Sequence, residues 1–211
     1  VLIGGSGLIG GTLAHYFKTQ TEHEIDIRAP SSKKLSIRNA EDIKNYLVRA
    51  QPDFVINSAV AALDCDAQLA FEVNYLGCVN LARACCALGI PYIHISSAAT
   101  LPNGENLSEE EHLPLSPSLT HYAKSKLMAE RTLRFMGKTQ GLDFTIIRLA
   151  IVYGEHDHKI HGFHRLFFSI ADEAMPFMVT RKGVKHSYTN ANKIPYFVHH
   201  VLDHREEFSQ E

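Results

Sequence analysis

Tryptophan is absent from the 211 residues, and neither sign of charge dominates. The 21 lysines and arginines face 23 aspartates and glutamates, for a formal net charge of −2 and a pI near 6.7. That balance gives no electrostatic footing for nucleic acid or an anionic membrane surface. No apolar run approaches the roughly 18 residues a membrane-crossing helix needs, and no signal-peptide pattern is visible. Cysteine is scarce. Cys65, Cys78, Cys85 and Cys86 fall inside apparent helical segments without C-x-x-C spacing. They therefore read as buried thiols in a reducing compartment, which points to a cytoplasmic enzyme or binding protein. An initiating methionine is missing too: the chain opens on "VLIGG", directly on a buried-strand pattern, so further residues are expected ahead of it. What is present suits one large domain, with 45% hydrophobic and 21% charged residues.

Short apolar runs alternate with helical periodicity. Strands are expected at "VLI", at 24–28 ("EIDIR"), 53–57 ("DFVIN"), 91–96 ("PYIHIS") and 143–149 ("DFTIIRL"). Helices are expected at Leu8 to Lys18, at 39–50 behind an asparagine cap, at about 66–88 as one or two pieces ending at Gly89, and at about 120–137. Strand and helix alternating at this spacing predict an α/β, doubly wound parallel sheet covered on both faces. Residues 102–119 form a polar, proline-punctuated excursion. Beyond residue 154 the rhythm weakens, with helical patterns at "GFHRLFFSIADEAM" and "YFVHHVLDHREEF" and a short strand at "FMVT". The division expected is a dinucleotide-binding domain over 1–154 and a partial substrate-binding region over 155–211.

"GGSGLIGG" follows the first strand at once and opens a helix, spacing Gly4, Gly7 and Gly10 as G-x-x-G-x-x-G. Glycines there permit a tight turn, close approach of backbone to a pyrophosphate, and close helix–strand packing. The helix N-terminus adds free N–H groups and partial positive charge. After the second strand the chain offers both NAD and NADP determinants. Asp26 could accept from a ribose 2′-hydroxyl, and Arg28 could pair with a 2′-phosphate. Alternation puts both on one face. Arg28 lies nearer the ligand-binding edge, followed by Ser31, Ser32 and Lys33, which tips the reading slightly toward NADP. The competing reading is an arginine that merely ends a strand in solvent.

Tyr122 and Lys126 stand four residues apart in "THYAKSKLMAE", on one helical face. Alone, the two residues would be a surface pair. Their setting argues otherwise: "HISSAAT" puts Ser96 and Ser97 at the carboxyl end of the fourth expected strand, the edge where open α/β sheets bind ligands.

Serine, Y-x-x-x-K and the glycine spacing together resemble the short-chain dehydrogenase/reductase superfamily. More narrowly they resemble its extended branch, the NAD-dependent epimerase/dehydratase family acting on nucleotide sugars. The resemblance covers residues 1 to about 154, through "PDFVINSAV", "VNYLGCVNLARAC", "YAKSKLMAE" and "RLAIVYG". It implies Ser97, rather than Ser96, with Tyr122 and Lys126 as the catalytic set. It also implies cofactor contacts from Gly4, Ser6, Gly7, Leu8, Ile9 and Gly10 in the glycine loop, from Asp26, Arg28, Ser36 and Ile37, from Asn57, Ser58 and Ala59, and from Leu149 and Val152. Asn74 enters as a buried polar anchor on the cofactor side, and Tyr122 and Lys126 serve cofactor as well as chemistry. The expected mechanism has the Lys126 ammonium and a positive nicotinamide pulling the phenol of Tyr122 toward neutrality, with Ser97 steadying the substrate oxygen.

Departures from the family pattern narrow the expectation. Ala98 and Ala99 stand where dehydratases carry an Asp-Glu pair, and neither can move a proton. Ser36 replaces an aspartate that contacts adenine, and Asn192 and Lys193 replace an aspartate pair. The short link between the second and third strands resembles the 4-dehydrorhamnose reductases, whereas the catalytic segments look more like epimerases. Four histidines in nine residues (His156, His158, His161, His164) invite a zinc reading, but no cysteine lies near and the family implies no metal. The leading expectation is hydride transfer at a nucleotide-sugar carbon by a 4-epimerase or 4-keto-reductase using NAD(P), as a possible homodimer by family analogy. The alternatives are an idle NAD(P)-binding sensor or scaffold module and a reductase of non-sugar carbonyls.

Overall fold

A computed structural model of the chain describes residues 1–20, 25–61, 64–155, 162–174 and 185–209, with the backbone alone for 162–164. Four strands, β1 (Leu2–Ile3), β2 (Val55–Asn57), β3 (Tyr92–Ser97) and β4 (Phe144–Leu149), pair in parallel in the order β1-β2-β3-β4. Ile3, Asn57 and His94 share one row, and Ser97 lies opposite Leu149 at the carboxyl end.

Parallel neighbours need crossovers, and the helices that supply them cover both faces. On one face lie α2 (Ala40–Ala50), α4 (Cys78–Leu88) and α5 (His121–Gln140). They bury Ile43, Leu47, Leu81, Leu133 and Met136 against Val55, Tyr92 and Phe144. On the other face, α1 (Leu8–Thr19) and α7 (Ile194–Asp203) pack Leu13, Phe17, Val198 and Val201 against Ile56, Ile93, Ile95 and Ile147. Consecutive strand residues go to opposite cores, which is why the strands read as unbroken apolar runs.

Local chemistry sets the helix limits. Asn39 Oδ1 accepts from the Glu41 and Asp42 amides at 3.1 and 3.3 Å to start α2. Thr120 Oγ1 accepts from the Ala123 amide at 3.1 Å to start α5. Gly89 and Gly141 end α4 and α5 in the left-handed region, at φ +65° and +72°. The segment expected as one or two helices over 66–88 is α3 (Ala67–Ala70), a π-helical stretch (Phe71–Gly77) and α4. The wider π turn carries Asn74 inward.

The strand expected at 24–28 is a correction. Residues 25–30 run irregularly beside β1 and give it one backbone bond, Leu2 N–H to the Arg28 carbonyl at 2.9 Å. β1 is two residues long and Pro30 has no N–H, so little ladder can form there. A second, unanticipated parallel pair joins β5 (Ile151–Tyr153) to β6 (Tyr188–Asn190), with α6 (Gly162–Ala171) between them in sequence. The C-terminal helix expected over "YFVHHVLDHREEF" breaks at His204 into α7 and α8 (Arg205–Phe208). The strand expected at "FMVT" lies outside the described residues, as do His156, His158 and His161 and the side chain of His164. Among the described residues no helix is long and apolar enough to cross a membrane, and no three potential ligands gather as a metal site.

Candidate active site

The glycine turn joins β1 to α1 at the carboxyl edge of the sheet. Gly4 takes φ +85°, and a Cβ on it would sit 2.6 Å from the Ala59 amide nitrogen. Gly7 N–H donates to the Gly4 carbonyl at 3.0 Å and Gly7 then caps α1 with no side-chain acceptor. No acidic residue occupies the first turn of α1, so its amides are left for an outside anion. A Cβ on Gly10 would overlap the Gly4 carbonyl oxygen. Gly10→Ala is therefore expected to push α1 from the turn at a cost of about 1–3 kcal/mol, read from chemical denaturation. An unchanged midpoint would mean that the close approach is not needed. Ser6 is exposed, and Leu8 and Ile9 are half-buried beside the turn.

The neighbouring loop after β2 is braced from within. Ser58 Oγ donates to the Ile3 carbonyl at 2.8 Å. Asn57 is 1% exposed; its Oδ1 accepts from the Ala59 amide at 3.1 Å and its Nδ2 donates to the Tyr92 hydroxyl at 2.8 Å. Asn74 Oδ1 accepts from the Ala61 amide at 2.8 Å, and its Nδ2 donates to Ser125 Oγ at 3.1 Å. Both asparagines thus commit their side chains inside the protein, shaping the loop after β2. Ile37 is likewise core, closing on Gly77. Ser36 is half-buried and accepts from the Arg38 amide at 3.4 Å.

Asp26 and Arg28 do share a face, and they pair with each other at 3.0 Å with side chains 74% and 56% exposed. A pair so wet contributes only about 0–1 kcal/mol, so either partner can turn to a ligand at little cost. Leu149 and Val152 are half-buried at the far side of the edge.

The two serines separate cleanly. Ser96 is buried and donates to Glu130 on α5. Ser97 stands beside the Tyr122 phenol, close enough to oppose the rise in its pKa, and accepts from the Ala99 amide at 3.2 Å. Tyr122, Lys126 and Glu130 recur at i, i+4 and i+8 and run down one face of α5 beneath the end of β3. Lys126 is 2% exposed and its Nζ donates to the Ile95 carbonyl at 2.8 Å. Burial draws the ammonium pKa down to about 8, with Cys78 and Glu130 acting in the opposite direction. Burial pushes Tyr122 above the usual tyrosine range, opposed in part by Ser97. The ammonium of Lys126 is engaged by the strand carbonyl.

The residues of this site that sequence reasoning missed are polar and buried. Glu130 receives Ser96, Thr100 (3.0 Å) and Arg148 (Nε 3.0 Å, Nη2 2.7 Å). Arg148 then spans to the 102–119 excursion, donating to the Glu109 carbonyl at 2.7 Å and meeting His112 Nδ1 at 2.8 Å. One buried ion pair so ties the strand end, α5 and the approach to Tyr122 together. The third member of the i, i+4 series in "YAKSKLMAE" was the available signal for Glu130. None marked Arg148.

With this geometry in view, the comparisons decide the family. The model of the NAD dependent epimerase/dehydratase family matches residues 1–202. The chain belongs to that family. A spore coat polysaccharide biosynthesis protein of Bacillus subtilis (strain 168) is 31% identical over 158 residues, 73% of this chain and 53% of that protein. The chain therefore spans about half the length of that curated relative. Among solved structures, a dTDP-4-dehydrorhamnose reductase of Clostridium acetobutylicum superposes with TM-score 0.79 at 21% identity, covering 97% of this chain and 70% of that one. A UDP-glucose 4-epimerase of Thermus thermophilus, solved with NAD, gives 0.74 at 22% identity over 95% and 73%. These likenesses establish the doubly wound α/β fold.

Proposed function

We propose that the protein is an NAD(P)-dependent oxidoreductase that transfers hydride at a nucleotide-sugar carbon, as a 4-keto-reductase or a 4-epimerase. The observation that carries this reading is the placement of Ser97, at the end of β3, beside the Tyr122 phenol at the head of α5, on the sheet edge that also presents the uncapped N-terminus of α1. A bound nicotinamide would supply or accept the hydride. Gly4, Gly7 and Gly10 with the first amides of α1 would hold its pyrophosphate, the 58–59 loop would flank a ribose, and Lys126 would hold the nicotinamide ribose. Ser97 binds the substrate oxygen, and Tyr122 gives that oxygen a proton or takes one from it. With its pKa raised, the phenol is protonated at neutral pH and serves first as a donor to a ketone. Ala98 and Ala99 provide no acid–base group for elimination. On this reading residues 1–154 are the dinucleotide half, and 155–211 contribute to the sugar side. Leu76 and Phe135, exposed apolar side chains on the π segment and α5, support pairing of two copies through those helices.

The test is to load the protein with NAD⁺ or NADPH and follow absorbance at the reduced nicotinamide band with 4-keto and 4-hydroxy nucleotide sugars. NADPH consumption with a 4-keto sugar supports the reductase. Retained NAD⁺ with interconversion of 4-hydroxyl epimers supports the epimerase. Dinucleotide binding with no turnover on any such sugar would leave a binding module as the better description. Cofactor choice has its own expectation. Arg28→Ala should weaken NADP binding by about 1.5–3 kcal/mol, the scale of a lost charge-assisted hydrogen bond, and leave NAD binding nearly unchanged. Equal losses for both would reassign the ribose contact to Asp26.

A further inference from the structure

Behind Lys126 lies a buried polar chain that the proposed reaction does not use. The Asn57 amide donates to the Tyr92 hydroxyl at 2.8 Å, and Tyr92 donates to Cys78 Sγ at 3.4 Å. Cys78 Sγ in turn meets His94 Nδ1 at 3.6 Å. Tyr92, Cys78 and His94 are each 1% exposed or less. The chain stops at His94 Nε2, which is buried and has no hydrogen-bond partner. An imidazole nitrogen in that state costs about 1–3 kcal/mol, so a strand centre is an unfavourable place to keep one without use.

Lys126 Nζ is anchored on the carbonyl of Ile95, the residue after His94, and its charge acts on the imidazole. Its ammonium has three protons, and among the described residues one is engaged, by the Ile95 carbonyl. The two deficits match: a buried acceptor lacking a donor and, anchored at the next residue of the strand, a buried donor with protons to spare. An ammonium on the Nε2 side of the ring would also select the tautomer, favouring a lone pair there and the ring proton on Nδ1, donating to Cys78 Sγ. Burial and the same ammonium keep the imidazole neutral, well below the usual histidine range.

We propose that His94 is a positioning residue for Lys126, its Nε2 accepting from the ammonium group across at most one water. The contact holds the ammonium charged and aimed at the sheet edge, and through Cys78, Tyr92 and Asn57 it couples that lysine to the 58–59 loop. The groups facing Lys126 are His94 on β3, Cys78 on α4, and Tyr122 and Glu130 on α5. Glu130 is already engaged by Arg148, Ser96 and Thr100, so His94 is the free acceptor of this set. The role rests on the reading that Lys126 works against a bound dinucleotide, but its first test does not.

Long-range ¹H–¹⁵N spectra of the imidazoles report tautomer and charge directly. His94 is expected to remain neutral and Nδ1-protonated from about pH 5.5 to about 9 in the wild type. In Lys126→Met its Nε2 resonance should move, since the donor is gone. Identical His94 resonances in the two proteins would overturn the proposal whether or not any cofactor binds. The second test is dinucleotide affinity against pH. Binding that needs the ammonium weakens as pH rises through about 8. In His94→Phe the unsupported ammonium loses its proton earlier, so the midpoint should fall by about half to one pH unit. His94→Gln, which keeps an acceptor, should restore it. A midpoint in His94→Phe equal to that of the wild type would also overturn the proposal. Failure of the wild type to bind any dinucleotide would instead count against the oxidoreductase reading, with the imidazole spectra still deciding the role of His94.

Discussion

Tyr122→Phe is expected to lower turnover about 10²–10⁴-fold, the range that a lost general acid–base group typically accounts for. Only a hydroxyl is removed. The ring keeps its half-buried place at the head of α5, and the cap on that helix comes from Thr120, so folding and dinucleotide binding should persist. Single-turnover measurements of hydride transfer, with affinity measured in parallel, separate the two effects. Lys126→Ala should lose affinity as well as rate, because it removes the proposed ribose contact and a strap to β3 together. The pair should be strongly non-additive. Near-normal turnover of Tyr122→Phe on every active substrate would sink the assignment of Ser97, Tyr122 and Lys126.

The largest loss of stability is expected at a residue that performs no chemistry. Glu130 is 1% exposed, and Arg148, its partner, keeps 11% of its side chain exposed. Taking the two charges out of water is costly and is offset only by their mutual geometry. Glu130→Ala leaves the guanidinium buried beside Ser96 and Thr100 with no counter-charge. The cost should be about 3–5 kcal/mol in urea denaturation, the range for breaking one side of a buried pair. Replacing both residues with methionine should cost much less, since neither charge then remains. A single-mutant loss below about 1 kcal/mol would mean that water reaches the pair.

Effects at these two positions also differ in where they reach. Arg148 holds the Glu109 and Glu111 carbonyls, and Leu113 N–H donates to the Thr100 carbonyl at 2.8 Å. The long excursion before Tyr122 is therefore pinned to the same cluster as the end of β3. Loosening Glu130 should reach Ser97 and Tyr122 through that connection, while removing the Tyr122 hydroxyl should leave the cluster untouched.

Much of this was written in local patterns. Continuous apolar runs, the Asn39 and Thr120 caps, and the glycines after α4 and α5 declare their elements through interactions within a few residues. The glycine turn is local only in part: Gly10 closes on the Gly4 carbonyl within the turn, whereas Gly4 makes room for Ser58 and Ala59, and the spacing alone points to a tight β–α junction. The i, i+4 relation put Tyr122 and Lys126 on one face because helical geometry depends on nothing distant. Three matters were decided only by the tertiary structure. Whether 25–28, the described part of the strand expected at 24–28, paired as a strand depended on how much of β1 was available to it, and two residues were too few. Where the side chains of Asn57, Asn74 and Ile37 are engaged depended on Tyr92, Ala61, Ser125 and Gly77, which lie up to 51 residues away. The partner of the Lys126 ammonium depended on the sheet above it. A helical wheel places an ammonium four residues from a phenol, but only the packed sheet offers it the Ile95 carbonyl, and a proton donor buried at 2% exposure goes to the nearest acceptor that burial leaves it.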